Sequence, residues 1–407
     1  MKDSIAATES LPDGSPSATY DPAAFEAPDY YALDELLTDE EKAIRQRVRD
    51  FVTREVVPVI EAHAEAKTFP ADLIPRFAEL GLLGPTLPER YGGGGHNNIV
   101  YGLMMQEIER GDSGLRSFCS VMSSLVMYPI WRYGSEAQKE RWLPLLTRGE
   151  AVGCFGLTEP NHGSNPAALE TRAVRDGDGY VLTGHKRWST NASIADVAVV
   201  WARDKDDVIR GFLVELDREG VSTPAIDDTW SLRAAVTSEV ILDGVRVPAT
   251  SRLPYAEGLR APLSCLTQAR YGICWGAIGA AMACYDAARQ HAMRRRQFGR
   301  LPIFQERLVD MVQEITKAQL LNWRLGKLKD AGTMRPQQVS LAKRNNCQAA
   351  LAIARSARQV LGGDGVTAMY PVMRHMANLE SVVTYEGTHE VHTLVVGQDL
   401  TGENAFT

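Results

Sequence analysis

The sequence predicts a mainly helical α+β protein in which a β domain separates two helical domains. Apolar residues recur at helical spacing near both ends of the chain, whereas short β-branched or aromatic runs begin after about residue 153. The predicted order is a flexible arm at 1–30, an all-α domain at 31–152, a β domain at 153–262 and a helical bundle at 263–407. With 407 residues, of which 44% are hydrophobic, the chain can form roughly two or three domains.

The first helix has a clear start signal. The arm before it is rich in Ser, Pro, Ala and Asp and has no apolar period. Thr38 and Glu41 have capping-box spacing, and apolar residues then follow at helical spacing until Pro58 interrupts the pattern: Ile44, Val48, Phe51, Val52 and Val56. Ser135 with Gln138 predicts a second capped helix.

Strands are predicted at 196–201, 209–216 and 240–242, where β-branched and aromatic residues cluster. Asp243-Gly244, followed by alternating apolar residues, predicts a hairpin turn.

Long helical patterns follow at about 267–297, 303–331, 335–361 and 378–400 and predict a four-helix bundle. Within the first of them, Gly272, Gly276 and Gly279 are interpreted as positions where another helix approaches closely.

Composition excludes several classes of function. The formal net charge of -7, from 44 basic and 51 acidic residues, provides no broad positive field for nucleic acid. The amino-terminal residues lack the apolar core of a secretory signal, so a cytoplasmic protein is expected. The most apolar window, at 272–284, is shorter than the roughly 18 to 20 residues of a membrane span, so no membrane insertion is expected. Six cysteines without a C-x-x-C pair indicate reduced core residues.

Four segments could carry chemistry. Residues 154–164 combine glycines with hydroxyl side chains, which suits donation to a heterocycle or phosphate, although a plain turn also fits. Trp188 on a β domain would more often be a core residue. Arg295 matches a pyrophosphate in charge and geometry, and Gly362-Gly363 fits either a cofactor contact or a helix C-cap. Glu386, taken alone, is more often a surface residue near a helix start.

Together these segments resemble the acyl-CoA dehydrogenase family, on the patterns F-G-L-T-E-P-x-x-G-S, W-x-T, R-x-x-F-G, Q-x-x-G-G-x-G and Y-E-G-T. The resemblance implies the fold of that family, with an N-terminal helical domain, a middle β-barrel-like domain and a C-terminal four-helix bundle. It also implies FAD, bound at a subunit interface of a homotetramer. The residues it assigns to FAD are Phe155, Leu157, Thr158, Gly163, Ser164, Trp188, Ser189, Thr190, Arg295, Gln297, Phe298, Gln305, Gln359, Gly362, Gly363, Thr388, Glu390 and Phe406.

The same resemblance makes Glu386 the catalytic base that removes the α-proton of an acyl-CoA thioester while a hydride leaves the β-carbon. Such a proton is weakly acidic, so its removal requires a positioned base with a tuned pKa. No metal site is predicted, because His389-Glu390-x-His392 has the wrong spacing for H-E-x-x-H and lacks a third ligand.

Residues 109–127 resemble the substrate segment of those family members that oxidise glutaryl-CoA. In the resemblance, Arg116 pairs with the distal carboxylate of the substrate; a salt bridge from Arg116 to Glu109 or Asp112 is the alternative. Thr267 and Gln268 stand where those members have asparagines. The residues assigned to substrate are Glu109, Arg116, Ser117, Ser164, Thr267, Gln268, Arg270, Tyr385 and Gly387.

The expected reaction is therefore oxidation of glutaryl-CoA, with decarboxylation to crotonyl-CoA and an electron-transferring flavoprotein as the acceptor. Three alternatives stay open: a dehydrogenase of another dicarboxylic or modified acyl thioester, an acyl-CoA oxidase, and a catalytically idle flavin-fold binding protein.

Overall fold

A computed structural model describes residues 20–295 and 302–406 of the protein. Helices form the first part of this region: α1 (Asp39–Phe51), α2 (Val57–Ala66), α3 (Ile74–Glu79), α4 (Asn98–Gly111), α5 (Ser113–Ser120), α6 (Tyr128–Tyr133) and α7 (Glu136–Thr147). Both predicted capping boxes are confirmed. Thr38 Oγ1 accepts the Glu41 amide at 3.2 Å, and Ser135 Oγ accepts the Gln138 amide at the same distance.

The sequence predicts that Pro58 interrupts the first helix, and this prediction is wrong. A π-helical turn at Val52–Val56 joins α1 to α2, and Pro58 is the second residue of α2. Proline has no amide hydrogen to donate, and the wider turn just before it absorbs the lost hydrogen bond and the ring's steric demand. The chain therefore stays helical through the proline.

Helix α4 lies at the centre of the N-terminal domain, where it packs against α1 and against two helices of the C-terminal part, α8 (Arg260–Arg294) and α9 (Pro302–Asp330). All but its first residue are buried, including four polar ones. The carboxylate of Glu107 accepts from Arg49 at 2.6 Å and from Arg110 at 3.1 Å, so these charges are paired inside the domain.

A seven-stranded sheet follows, with β1 (Gly153–Gly156), β2 (Arg172–Asp176), β3 (Gly179–Thr190), β4 (Val197–Arg203), β5 (Ile209–Glu215), β6 (Val221–Ser222) and β7 (Thr237–Pro248). The strand order is β1-β4-β2-β3-β7-β6, with β5 paired to β4. Ser189 of β3 donates to the Phe155 carbonyl of β1 at 3.2 Å although two strands separate them in the pairing order, so the sheet curls back on itself.

The prediction of a hairpin turn at Asp243-Gly244 is wrong. Both residues lie inside β7, which pairs with β3 before and after them, and the register shifts between Leu182 and Gly184 of β3. Gly244 has a φ of 65°, which only glycine adopts without strain. A turn dipeptide within a continuous strand here makes a β-bulge.

The C-terminal part is a helical bundle of α8 (Arg260–Arg294), α9 (Pro302–Asp330), α10 (Pro336–Leu361), α11 (Val372–Val382) and α12 (His389–Thr401). Three of the four predicted long helices are confirmed, but the one at 378–400 is broken into α11 and α12. The break falls at Gly387, whose φ is 94°, and at Thr388, whose hydroxyl caps α12 by accepting the Val391 amide.

Three apolar cores correspond to the N-terminal domain with the adjoining face of α8, the bundle and the sheet. All six cysteines are free and buried, as expected. Among the described helices, none is long and apolar enough to cross a membrane.

Candidate active site

Glu386 lies in the connection between α11 and α12 rather than near the start of one long helix. Its φ is 51°, the left-handed region that costs a non-glycine residue roughly 1–2 kcal/mol. The amides of Thr384 and Tyr385 both donate to the Ser381 carbonyl at 2.9 Å and close the end of α11. The glutamate is thus presented at a sharp corner between two helices.

The Glu386 side chain points into the protein. Its Oε2 atom is buried and accepts no hydrogen bond from any described residue. Burial raises the pKa of the carboxyl, while the charges of Arg116, Lys343 and Arg270 oppose that increase. A buried carboxylate with a raised pKa and a vacant oxygen is suited to accept a proton.

Arg116 is completely buried beside this corner. Its Nε donates to Glu109 Oε2 at 2.5 Å, and its Nη2 donates to the Tyr385 hydroxyl. Burial lowers the pKa of the guanidinium, but the charge and hydrogen bond of Glu109 together with Tyr385 and Glu386 outweigh that effect, and the net shift is upward, so Arg116 stays cationic. The third nitrogen, Nη1, is buried and has no partner among the described residues.

These contacts bear on the two interpretations of Arg116 left open by the sequence. The salt bridge to Glu109 exists, whereas Asp112 accepts from Arg374 at 2.5 Å instead. Yet the salt bridge involves only the Nε atom of the Arg116 guanidinium. Since a buried donor without a partner costs about 1–3 kcal/mol, Nη1 marks a position where an acceptor belongs.

Helix α8 leaves room for this pair through its glycines. A Cβ at Gly276 would overlap Glu109 Oε2 and lie 3.1 Å from Arg116 Nε. At Gly279 it would overlap the Gln106 carbonyl, and at Gly272 it would lie 2.7 Å from the Tyr101 hydroxyl. The predicted close approach of a second helix is confirmed, and that helix is α4.

The residues assigned to substrate are only partly brought together. Arg270 Nε donates to the Glu386 carbonyl at 2.6 Å, so α8 contacts the corner directly. Thr267 donates its hydroxyl to the Leu263 carbonyl of its own helix at 3.0 Å, and Gln268 is partly buried beside it. Ser117 is buried next to Arg116, whereas Ser164 is exposed on the loop after β1.

The first group of predicted FAD residues lies where β1 and β3 converge. The Arg187 amide donates to the Thr158 carbonyl at 2.8 Å, which holds the two segments together. A buried ion pair between Lys186 of β3 and Glu159 of the loop, 2.8 Å apart, also connects these segments. These FAD residues differ in exposure. Phe155, Leu157 and Ser189 are buried, Thr158 and Thr190 are partly buried, and Gly163 and Ser164 are exposed.

Trp188 is not a core residue, contrary to what its residue type alone favours. Its side chain is 52% exposed, and its backbone is left-handed, with a φ of 62°. An exposed indole on a strained backbone is unusual away from functional sites. The sheet therefore presents a flat aromatic surface beside the Thr158 loop.

The second group of predicted FAD residues lies where the ends of α8 and α10 meet. Arg295 Nη1 donates to the Leu361 carbonyl at 3.3 Å, and Gly362, with a φ of 64°, ends α10. A Cβ at Gly362 would lie 3.1 Å from Arg295 Nη1, so glycine keeps the guanidinium accessible. Arg307, which the sequence reasoning missed, donates to the Gln359 side chain.

The remaining predicted FAD residues are more scattered. Gln297 and Phe298 lie outside the described residues. Gly363, Gln305 and Glu390 are exposed, Phe406 is 49% exposed, and Thr388 forms the cap of α12.

Two further residues at the corner were missed. Ser113 donates to Glu109 Oε1 at 2.9 Å, and Lys343 of α10 donates to the carbonyls of Tyr385 and Gly387. A signal for Lys343 was present. It falls on the buried stripe of α10, at helical spacing with Val339, Ala342, Asn346, Cys347 and Ala350.

Comparison with known proteins identifies relatives over most of the chain. Three domains of one family match: acyl-CoA dehydrogenase N-terminal domain at residues 38–150, middle domain at 154–245 and C-terminal domain at 256–401. The mitochondrial short-chain specific acyl-CoA dehydrogenase of Bos taurus is 35% identical over 373 residues, which are 89% of this chain and 90% of that protein.

Two crystal structures of glutaryl-CoA dehydrogenase from Mycobacterium smegmatis are also similar. One has a TM-score of 0.90 at 51% identity and covers 92% of this chain and 98% of that one. The second, in complex with FADH2, has a TM-score of 0.92 at 49% identity and covers 96% of this chain and all of that one, at 100%.

We predict that Gly276→Ala destabilises the protein, because the new Cβ would displace the Glu109–Arg116 pair from a packed site. Overpacking of this kind typically costs about 1–3 kcal/mol. Gly397→Ala in α12 is the control, since no atom of the described part of the chain lies within 4 Å of the added Cβ; it should be neutral or slightly stabilising. Thermal unfolding of both variants tests this, and equal melting temperatures would contradict it.

Proposed function

This chain belongs to the acyl-CoA dehydrogenase family and is an FAD-dependent dehydrogenase, and from that premise we propose that it oxidises glutaryl-CoA and decarboxylates the product to crotonyl-CoA. One observation carries the choice of substrate. Arg116, whose buried Nη1 has no partner among the described residues, donates through Nη2 to the hydroxyl of Tyr385, and the next residue is Glu386, whose buried Oε2 has no described partner either. A thioester with a second carboxylate can engage both groups at once.

The chain offers surfaces that fit FAD. The exposed indole of Trp188 provides a flat face for a heterocycle, and the Thr158 loop beside it supplies hydroxyl and backbone donors. At the other group, the accessible guanidinium of Arg295 next to Gly362 suits a pyrophosphate. When bound, FAD supplies the acceptor for the hydride that leaves the substrate β-carbon.

Glu386 is proposed as the base. Its vacant Oε2 would take the α-proton of the thioester, and its raised pKa makes it a stronger base than an exposed carboxylate. The charges of Arg116, Lys343 and Arg270 oppose the increase in pKa and favour the ionised carboxylate that the reaction requires. At the left-handed corner the Oε2 atom of the side chain is buried, whereas the main-chain carbonyl of Glu386 accepts from Arg270.

Arg116 is proposed to recognise the distal carboxylate of glutaryl-CoA. Glu109 fixes the guanidinium through Nε and leaves Nη1 free to donate. A hydrogen bond to a charged group contributes about 1.5–3 kcal/mol, and leaving the buried donor empty forfeits it. A monocarboxylic substrate would gain nothing from this donor.

A short-chain monocarboxylic acyl-CoA is the second candidate, and one observation favours it. Glu109 already neutralises the charge of Arg116, so the pair attracts a second carboxylate less strongly than a free arginine would. The similarity to the bovine short-chain enzyme agrees with this alternative.

Decarboxylation follows from the chemistry of the proposed product. Oxidation of glutaryl-CoA gives glutaconyl-CoA, whose distal C–C bond can break because its electron pair enters a dienolate conjugated with the thioester. The carboxylate leaves as CO2. Glu386, protonated in the first step, then returns its proton to the dienolate, which gives crotonyl-CoA.

We also propose an electron acceptor, an assembly and a cellular location for the enzyme. Electrons would pass to an electron-transferring flavoprotein, four copies of the chain would assemble with FAD at an interface between subunits, and the enzyme would act in the cytoplasm. An acyl-CoA oxidase would instead produce peroxide in air.

The test of the proposal is anaerobic mixing of the FAD-loaded enzyme with glutaryl-, butyryl- and other acyl-CoAs. We expect glutaryl-CoA to bleach the flavin absorbance fastest and to release CO2 in proportion to turnover. Bleaching by glutaryl-CoA without CO2 would contradict the decarboxylation, and faster bleaching by butyryl-CoA would favour the second candidate.

Glu386→Gln should abolish flavin bleaching while FAD stays bound, because an amide cannot accept the α-proton. The exposed Glu380→Gln on α11, which has no assigned role in the site, serves as a control for the loss of a carboxylate. The bound FAD is measured from its visible absorbance and the rate by stopped flow. Bleaching at the native rate by Glu386→Gln would refute the base assignment.

Arg116→Ala should reduce the preference for glutaryl-CoA over butyryl-CoA roughly 10- to 100-fold, the equivalent of one charged hydrogen bond. The ratio of kcat/KM values for the two substrates is the measurement, so general damage that affects both substrates alike cancels. Arg374→Ala breaks another buried arginine pair and should leave that ratio unchanged. Equal losses on both substrates would disprove carboxylate recognition by Arg116.

A further inference from the structure

Three consecutive peptide carbonyls at the corner around Glu386 all accept hydrogen bonds from cationic side chains, the buried Lys343 and the partly buried Arg270. Lys343 Nζ donates to the Tyr385 carbonyl at 2.7 Å and to the Gly387 carbonyl at 2.8 Å. Arg270 Nε donates to the carbonyl of Glu386 between them at 2.6 Å. The cations thus hold the backbone on both sides of the glutamate.

Lys343 is the more unusual of the two. It comes from the middle of α10, 43 positions before Glu386 in the chain, and only 1% of its surface is exposed. Burying an ammonium is costly unless it is well hydrogen-bonded. Its hydrogen bonds go to peptide oxygens on either side of a residue whose own backbone is strained, with a φ of 51°.

We propose that Lys343 is a positioning residue: its buried ammonium clamps residues 385–387 in the strained corner that aims the Glu386 carboxylate inward and supplies charge that favours the ionised base. This inference rests on the proposed role of Glu386. The hydrogen bonds from Lys343 offset the backbone strain, because the two flanking carbonyls accept from the same ammonium group. With the backbone oxygens bound to the lysine, the Oε2 atom of the carboxylate is held in a buried position.

The charge of Lys343 acts together with several neighbours. Lys343, Arg116 and Arg270 lower the pKa of Glu386 against the effect of burial. Burial lowers the pKa of Lys343 itself, and the nearby Cys347 and Glu386 oppose that decrease. The titratable groups that face this cluster from the surrounding helices and loop are Tyr101, Glu109, Arg116, Arg270, Cys274, Lys343, Cys347, Tyr385 and His392.

The test is Lys343→Met, which keeps the length of the side chain and removes its donors and charge. FAD-loaded enzyme is mixed anaerobically with glutaryl-CoA or butyryl-CoA, whichever bleaches the native flavin faster, over a range of pH. We expect the limiting rate to fall on the order of 10- to 100-fold, as for a base misplaced by about 1 Å. The substrate concentration at half-maximal rate should change much less.

The pH profile separates positioning from a merely structural role. The rate depends on ionised Glu386, so it rises with pH through the pKa of that group, and loss of the Lys343 charge should move the inflection to higher pH. Lys343→Arg, which keeps charge and donors, should restore the native inflection. An unmoved inflection in Lys343→Met overturns the proposal, because a structural lysine would affect folding alone.

Two controls keep the result interpretable. Lys329→Met removes another lysine of the bundle, one that donates to Asn98 Oδ1 at 2.5 Å and does not contact the corner, and should react at the native rate. If Lys343→Met does not hold FAD, Lys343→Gln replaces it, with the same expected shift. Glu386→Gln, measured alongside, isolates the base: bleaching by that variant would defeat the proposed function, whatever Lys343 does.

Discussion

The packing of α8 against α4 is the constraint on which the rest of the site depends. Gly272, Gly276 and Gly279 form a face without side chains, and α4 lies so close to it that a Cβ at two of these positions would overlap its atoms. This proximity excludes water from the space around Glu109 and Arg116. In a medium of low dielectric constant, the ion pair and the free guanidinium nitrogen act more strongly than they would at the surface.

The surroundings of Glu386 have two opposite effects on its pKa. A proton acceptor must be basic, which burial provides, but it must also be ionised before substrate is bound, which nearby cations favour. Arg116, Arg270 and Lys343 come from three different helices, and two of them contact the backbone of the corner rather than its carboxylate. The Oε2 atom of the carboxylate therefore has no hydrogen-bond partner within residues 20–295 and 302–406, although positive charge surrounds it.

Where prediction from the sequence failed, a local signal was overruled by its surroundings. Asp243-Gly244 has the composition of a hairpin turn, but the pairing of β7 with β3 on both sides makes it a bulge. Pro58 usually ends a helix, yet a π-helical turn lets α2 continue. The helical pattern across 378–400 conceals the corner at 386–388, because left-handed residues leave no mark on apolar spacing.

The sequence by itself determined the order of the domains, the capped helix starts, the family and the short contiguous patterns that contain the predicted base and FAD residues. These features depend on neighbours within a few positions, or on patterns that persist along one segment. Only the tertiary structure decided that Arg116 keeps one nitrogen free, that Trp188 is exposed and that Lys343 clamps the corner. Arg116 and Tyr385 are 269 positions apart, and burial and vacant hydrogen-bonding atoms arise only when such distant segments are packed together.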